Sequence, residues 1–204
     1  MAETIAIEEP KIARFLFNTT QGAWIWLVVR LFLGYQWLHA GWEKITGTEG
    51  GTFAWHFGFT QDSWLRSSAG LKGFAGFALS NADQPHAAVN YGWYAHFLHY
   101  LSTGGGWMAP VIAIGETAIG IALILGLFTA VAAFFAGMLS VSFGLAGVAG
   151  VNPAFFVMEV FLILAWRNAG YYGLDRYVLP MLGTPWHRGK LFEPHQPVAS
   201  LVHV

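Results

Sequence analysis

Apolar residues fall into four long runs, at positions 22–42, 107–128, 129–148 and 153–172. Each is close to the roughly 20 residues that a helix needs to cross a bilayer core. The first reads GAWIWLVVRLFLGYQWLHAGW, too long for the apolar region of a secretory signal and preceded by Glu3, Glu8 and Glu9 rather than by a basic segment. It is expected to be a retained anchor. Residues 126–129 and 147–152 form very short links, which place the last three runs side by side and antiparallel. Pro153 suits the first turn of its helix, where a missing N–H costs nothing. The pattern predicts an all-α integral membrane protein: one domain over residues 1–204, built as a four-transmembrane-helix bundle.

The connection at 45–106 is far too apolar for a solvated linker, and loops of this length are usually functional. Leu71, Phe74, Ala75 and Ala78 recur at helical spacing, as do Tyr94, Phe97, Leu98 and Leu101. Ser80 to Pro85, SNADQP, reads as a turn between them. Two short amphipathic helices are expected, lying in the outer interface or folded over the mouth of the bundle. The tail at 173–204, with Pro180, Pro185, Pro194 and Pro197, reads as an ordered-looking but irregular cytoplasmic extension.

Placement of Lys and Arg orients the chain. Lys11 and Arg14 precede the first run, and Arg176, Arg188 and Lys190 follow the last. The long connection holds Arg66 and Lys72, with Lys44 at its edge. Both termini are therefore expected on the cytoplasmic side. Trp24, Trp26, Trp166, Tyr171 and Tyr172 would form an inner aromatic belt, with Trp42 and Trp107 in the outer one.

Composition sharpens this picture. Charged residues make up only 10% of the 204, where a soluble domain carries about 25%. Net charge is −1 and no basic stripe exists, so no nucleic-acid partner is indicated. Cysteine is absent, which excludes disulfides, thiolate metal sites and covalently attached haem. Redox chemistry would need a diffusible quinone, a non-covalent cofactor or another subunit.

Ionisable residues inside spans are costly and mark candidate function. Arg30 lies roughly 12 Å from the inner start of its helix and Glu116 roughly 14 Å from the outer start of the next, so in a core about 30 Å thick they reach similar depths. They are expected to face each other as a buried ion pair, a structural role being as natural for it as a chemical one. Arg30, Trp37, Gly41 and Lys44 share one stripe, and His39 with Glu43 forms an i,i+4 pair on another. Arg167 is near enough to a helix end to reach polar surroundings by its length. Glu159 and His39 are candidate proton carriers, with Glu43 beside them. Gly115, Gly120, Gly137, Gly144 and Gly147 are expected to permit close helix approach. His56, His86, His96 and His99 make a poor metal set without cysteines or paired carboxylates, and no metal site is assigned. The aromatics around them, Tyr91, Trp93, Tyr94 and Tyr100, could instead wall a quinone-head pocket.

Three blocks, LFLGYQWLHAGWEKI, GETAIGIALILGLFTAVAAF and NAGYYGLDRYVLPMLGTPW, resemble the DoxX/DoxD family, the last being closest to the DoxD branch. The matching positions are Gly41, Lys44, Glu116, Gly120, Gly126, Gly173, Leu174, Asp175, Arg176 and Pro180. The resemblance implies a four-helix protein in the plasma membrane of a prokaryote. It also implies a subunit of a thiosulfate:quinone oxidoreductase, which oxidises thiosulfate to tetrathionate and passes electrons to quinone. On that reading a quinone head sits at the outer mouth, walled by Trp37, Trp93 and Trp107, while His39, Glu43 or Glu159 handles protons. The outer connection offers Lys44, Arg66 and Lys72 against Glu43, Glu49, Asp62 and Asp83, a poor match to a dianion, so a second subunit would supply part of the site. The alternative is a non-catalytic accessory subunit docking on a larger respiratory or photosynthetic complex. A transporter would need a continuous polar path, and the run at 129–148 contains no ionisable residue.

Overall fold

The computed structural model describes residues 9–48, 55, 58–80, 89–148 and 150–183. Among these are eight α-helices and no strand: α1 (Lys11–Asn18), α2 (Ala23–Thr46), α3 (Ala69–Leu79), α4 (Gly92–Thr103), α5 (Met108–Leu125), α6 (Thr129–Leu145), α7 (Asn152–Leu164) and α8 (Asp175–Met181). Four of them close a ring, with α2 along α5, α5 beside α6, α6 along α7, and α7 returning to α2.

One stripe of α2 makes that ring possible. Trp26, Arg30, Leu33, Gly34, Trp37 and Gly41 are all buried and recur at steps of three or four, the spacing of a single helix face. A side chain on Gly34, Gly41 or Gly120 would collide with backbone of the opposing helix, so these residues set how closely α2 and α5 approach. Gly120 was expected in this role. Gly115 and Gly144 border open space instead. The shared core joins Leu33 and Trp37 of α2 to Leu123, to Ala132, Ala133 and Ala136 of α6, and to Leu162 of α7.

The two short helices of the long connection are present as α3 and α4. They do not lie apart: Leu71, Ala75 and Ala78 pack with Tyr94, Leu98 and Leu101 and with Ala109 and Ala113 of α5, forming a second core over one end of the ring. Tyr94 donates its hydroxyl to the Ser142 carbonyl of α6 and so ties α4 down. Burial raises the phenol above its ordinary range and keeps it a donor. The expected SNADQP turn lies almost wholly outside the described residues, as do Glu49, His56, His86 and the tail from 184 onward.

The fourth run is shorter as helix than its hydrophobicity suggested. α7 stops at Leu164 because the chain then coils through turns that place the Asn168 amide on the carbonyls of Leu16 (2.8 Å) and Thr19 (2.7 Å). Trp26, expected in an interfacial belt, is buried and donates to the Leu16 carbonyl at 2.6 Å. Arg167 bonds Asn18 at 2.8 Å. These contacts pin α1, itself unpredicted, against the ends of α2 and α7.

The described start of the tail, residues 173–183, is ordered and carries α8. It docks on the α5–α6 corner: the Leu174 and Asp175 amides donate to the carbonyls of Leu125 (3.0 Å) and Gly126 (2.7 Å). Asp175 then turns its buried carboxylate onto the amides of Phe128 and Thr129, the first donors of α6. A helix start lacks intrahelical acceptors, so this remote aspartate does the work of a cap. It also holds Phe128 at φ 47°, a left-handed conformation unusual for an aromatic residue.

Outward faces of the ring are apolar. Val28, Leu31 and Phe32 on α2, Val111 and Ile114 on α5, Val131, Phe134, Phe135 and Met138 on α6, and Val157 and Phe161 on α7 are all exposed. Helix α5 alone among the described residues is long and apolar enough to cross a bilayer; α3, α6 and α7 are shorter apolar helices. Replacing Asp175 by Ala is expected to lower stability by about 2–3 kcal/mol, a lost cap plus a buried amide without an acceptor. Asp175→Asn, which keeps one carbonyl oxygen, should lose less. Thermal unfolding of the detergent-solubilised protein measures both.

Candidate functional site

A cleft of about 340 Å³ opens between α2, α6 and the start of α7. Its walls are apolar, from Trp37, Phe143, Val151 and Phe155. Into it come Gln36, His39, Glu43, Lys44, Glu116 and Asn152. About two and a half turns of α2, from Gln36 to Lys44, supply most of the polar set, and the Gly41 contact brings Glu116 of α5 alongside.

Two ionic contacts organise it. Lys44 reaches Glu116 at 2.7 Å, and Glu116 is 0% exposed. Lys44 also extends 3.4 Å to the Ala40 carbonyl and lies 5.5 Å over the Trp64 ring, so its ammonium is held from several sides. His39 Nδ1 stands 3.7 Å from Glu43 Oε2, a loose contact between two partly exposed side chains. The imidazole stacks on Tyr35 and meets Trp55 edge-on at 5.4 Å between centroids. A close buried pair beside a loose acid–base pair suits proton transfer better than metal binding. Among the described residues no three His, Cys, Asp or Glu side chains gather as a metal site.

The expected Arg30–Glu116 pair is not formed. Gly41 packs on Ala113 and Thr117, whereas the Arg30 guanidinium fills the space at Gly126 and Gly173. The two are therefore about ten residues apart along the helices, roughly 15 Å. The depth estimate failed because it counted both helices from the same pair of membrane planes, while α2 enters after the α1 turn and is displaced along α5. Lys44 takes the place assigned to Arg30. Its position on the same stripe was the available signal. Arg30 instead donates to the Tyr172 carbonyl at 3.1 Å, near Asp175.

The three expected quinone-wall tryptophans do not meet. Trp37 lines the cleft and is buried. Trp93, 65% exposed, borders a separate apolar groove of about 570 Å³ between α4, α6 and α7. Trp107, 61% exposed, donates to the Tyr100 hydroxyl at 2.9 Å. Spacing along the chain could not show that α4 folds across α6 rather than over α2. Glu159 stands behind the cleft wall and not on it: it is 0% exposed, and its Oε1 accepts from Trp37 Nε1 (2.9 Å) and Ser140 Oγ (3.2 Å). Of the proton-handling candidates, the structure thus gathers His39 and Glu43 in the cleft and sets Glu159 one layer deeper. Gln36, Asn152 and Ser140 were not singled out in the sequence, since neutral polar residues there carry no pattern of their own.

A ring of apolar helices with an ionisable cleft at one end defines a small helical protein with an internal polar site. The DoxX family model matches residues 25–148, and the chain belongs to the DoxX family, whose members are membrane proteins. The match runs through α2 to α6, taking in the Lys44–Glu116 pair, and is to the family as a whole rather than to its DoxD branch. No curated protein and no solved structure shows a significant match.

Removing Lys44 alone withdraws the cation 2.7 Å from a carboxylate that water does not reach. Lys44→Met is expected to destabilise the protein by about 3 kcal/mol, and Lys44→Met with Glu116→Leu to restore much of it. Chemical or thermal unfolding of both variants in detergent tests the pair. A double variant as unstable as the single one would show that the residues act separately.

Proposed function

We propose that the protein is a four-span membrane subunit of a quinone-coupled oxidoreductase, with the quinone head in the α2–α6–α7 cleft. The observation that carries this reading is the cleft itself: apolar walls with a few convergent acid–base groups, of a volume suited to a small aromatic ring. His39 and Glu43 hand protons to the quinone oxygens as electrons arrive. Lys44, held on Glu116, gives a fixed positive edge to stabilise developing negative charge on the ring.

The exposed Val, Phe and Met side chains around α2, α5, α6 and α7 support four crossings, since a surface this apolar needs hydrocarbon rather than water against it. α7 reaches the far side by continuing through the turns at 165–173. Both termini then lie on the cytoplasmic side, where Lys11, Arg14 and Arg176 satisfy the positive-inside bias. The DoxD-like blocks support thiosulfate as electron donor. With Lys44 committed to Glu116, that dianion is oxidised on a second subunit and not in this cleft. A second reading, an accessory subunit, draws on the exposed ridge of Tyr91, Trp93, Tyr100 and Trp107, which a protein partner could cover.

The test is to isolate the chain from native membranes in mild detergent, extract bound quinone and identify what accompanies it. Stoichiometric quinone with a small companion subunit is the expected result. His39→Phe and Glu43→Gln should then each slow quinol formation about 100-fold, in the range of a lost general acid–base group, while bound quinone is retained. Recovery only within a large assembly, without quinone of its own, would overturn the catalytic reading in favour of the accessory one.

A further inference from the structure

Glu159 is fully buried between α2, α6 and α7, and its geometry separates it from the cleft. Oε1 accepts two hydrogen bonds, from Trp37 Nε1 and Ser140 Oγ. Oε2 has no hydrogen-bond partner and faces the seam at Gly137, where an added Cβ would stand 3.7 Å from it. No polar chain among the described residues leads from that oxygen to the cleft. What does connect Glu159 to the cleft is the Trp37 ring: one edge is bonded to the carboxylate, and the indole forms part of the cleft wall.

From this we infer that Glu159 is a positioning residue, whose carboxylate fixes the orientation of the Trp37 indole where it forms part of the cleft wall. The indole is packed in the shared core, and the bond at Nε1 selects which of its packed orientations it holds. Ser140 completes the arrangement by fixing the carboxylate from α6, so three helices determine one ring plane. The role differs from proton carriage in its chemistry. A positioning acceptor needs an oxygen at the right place and not a titrating group, so a glutamine can replace it. The consequence for ligand binding rests on the quinone reading above; the clamp on the indole does not.

The experiment uses the full chain in detergent with tryptophan labelled at the indole nitrogen, the Trp37 resonance being assigned by Trp37→Phe. The wild-type Trp37 indole proton is expected downfield and slow to exchange. It should stay so in Glu159→Gln and move upfield, with faster exchange, in Glu159→Leu. Decylubiquinone affinity should fall about tenfold in Glu159→Leu, the scale of losing one hydrogen bond, and stay within about twofold in Glu159→Gln. In a Trp37→Phe background, Glu159→Leu should add no further loss of affinity, because residues acting through one contact are not additive. An unmoved Trp37 resonance in Glu159→Leu would overturn the proposal. So would a Glu159→Gln protein that keeps the resonance and the affinity but loses turnover, the mark of a proton carrier. Wild-type protein that does not bind decylubiquinone, yet shows the expected resonance changes, would overturn the quinone reading and leave the clamp standing.

Discussion

Burying an ionisable side chain costs several kcal/mol unless other groups replace the water it loses. Arg30, Glu116, Glu159 and Asp175 are all but removed from solvent, and the fold is organised around meeting that cost. Each is met in part by a different device: a lysine folded back along its own helix, an indole and a serine, a pair of backbone amides at a helix start, and a carbonyl beside a neighbouring carboxylate. The devices sit where helices meet, so each also fixes the relation of two elements.

At one end of the ring, Asp175 and Arg30 close the bundle. The corner between α5 and α6 has no side chain of its own to satisfy the first amides of α6, and it depends on a residue nearly fifty positions later. Gly126 and Gly173 leave the room that Arg30 fills. Helix order is thereby locked from the C-terminal side, outside the segment over which the family match extends. At the other end the Lys44–Glu116 pair, inside that segment, leaves an open cleft with acid–base groups on its rim. One end is closed by buried polar contacts and the other is an open cleft.

Layering of the open end separates roles that charge alone would merge. His39 and Glu43 meet the cleft directly, Trp37 forms its wall, and Glu159 lies behind the wall. Three acidic residues within a few turns of one another therefore differ in what they can touch. Glu43 lines the cleft, Glu116 is occupied by Lys44, and Glu159 is bonded to an aromatic ring. A catalytic interpretation of any of them depends on that placement.

Hydrophobic runs, their length and the brevity of two links were enough to read an all-α chain whose four runs hold α2, α5, α6 and α7, with α6 and α7 shorter than their runs, and period alone located α3 and α4. These are local properties: a helix needs only its own periodicity and its neighbours in sequence. The stripe of Arg30, Trp37, Gly41 and Lys44 was also readable, because it lies on one helix. What no local pattern holds is the axial offset between α2 and α5. That offset decided that Glu116 meets Lys44 and not Arg30. It depends on glycines from two helices meeting backbone, a fit between surfaces far apart in the chain. The same holds for the course of α4 across α6, which separated Trp93 from Trp37, and for the return of residues 172–175 to the α5–α6 corner. Burial of polar groups could be anticipated from their place in apolar runs; their partners could not, since a partner is chosen by packing in three dimensions.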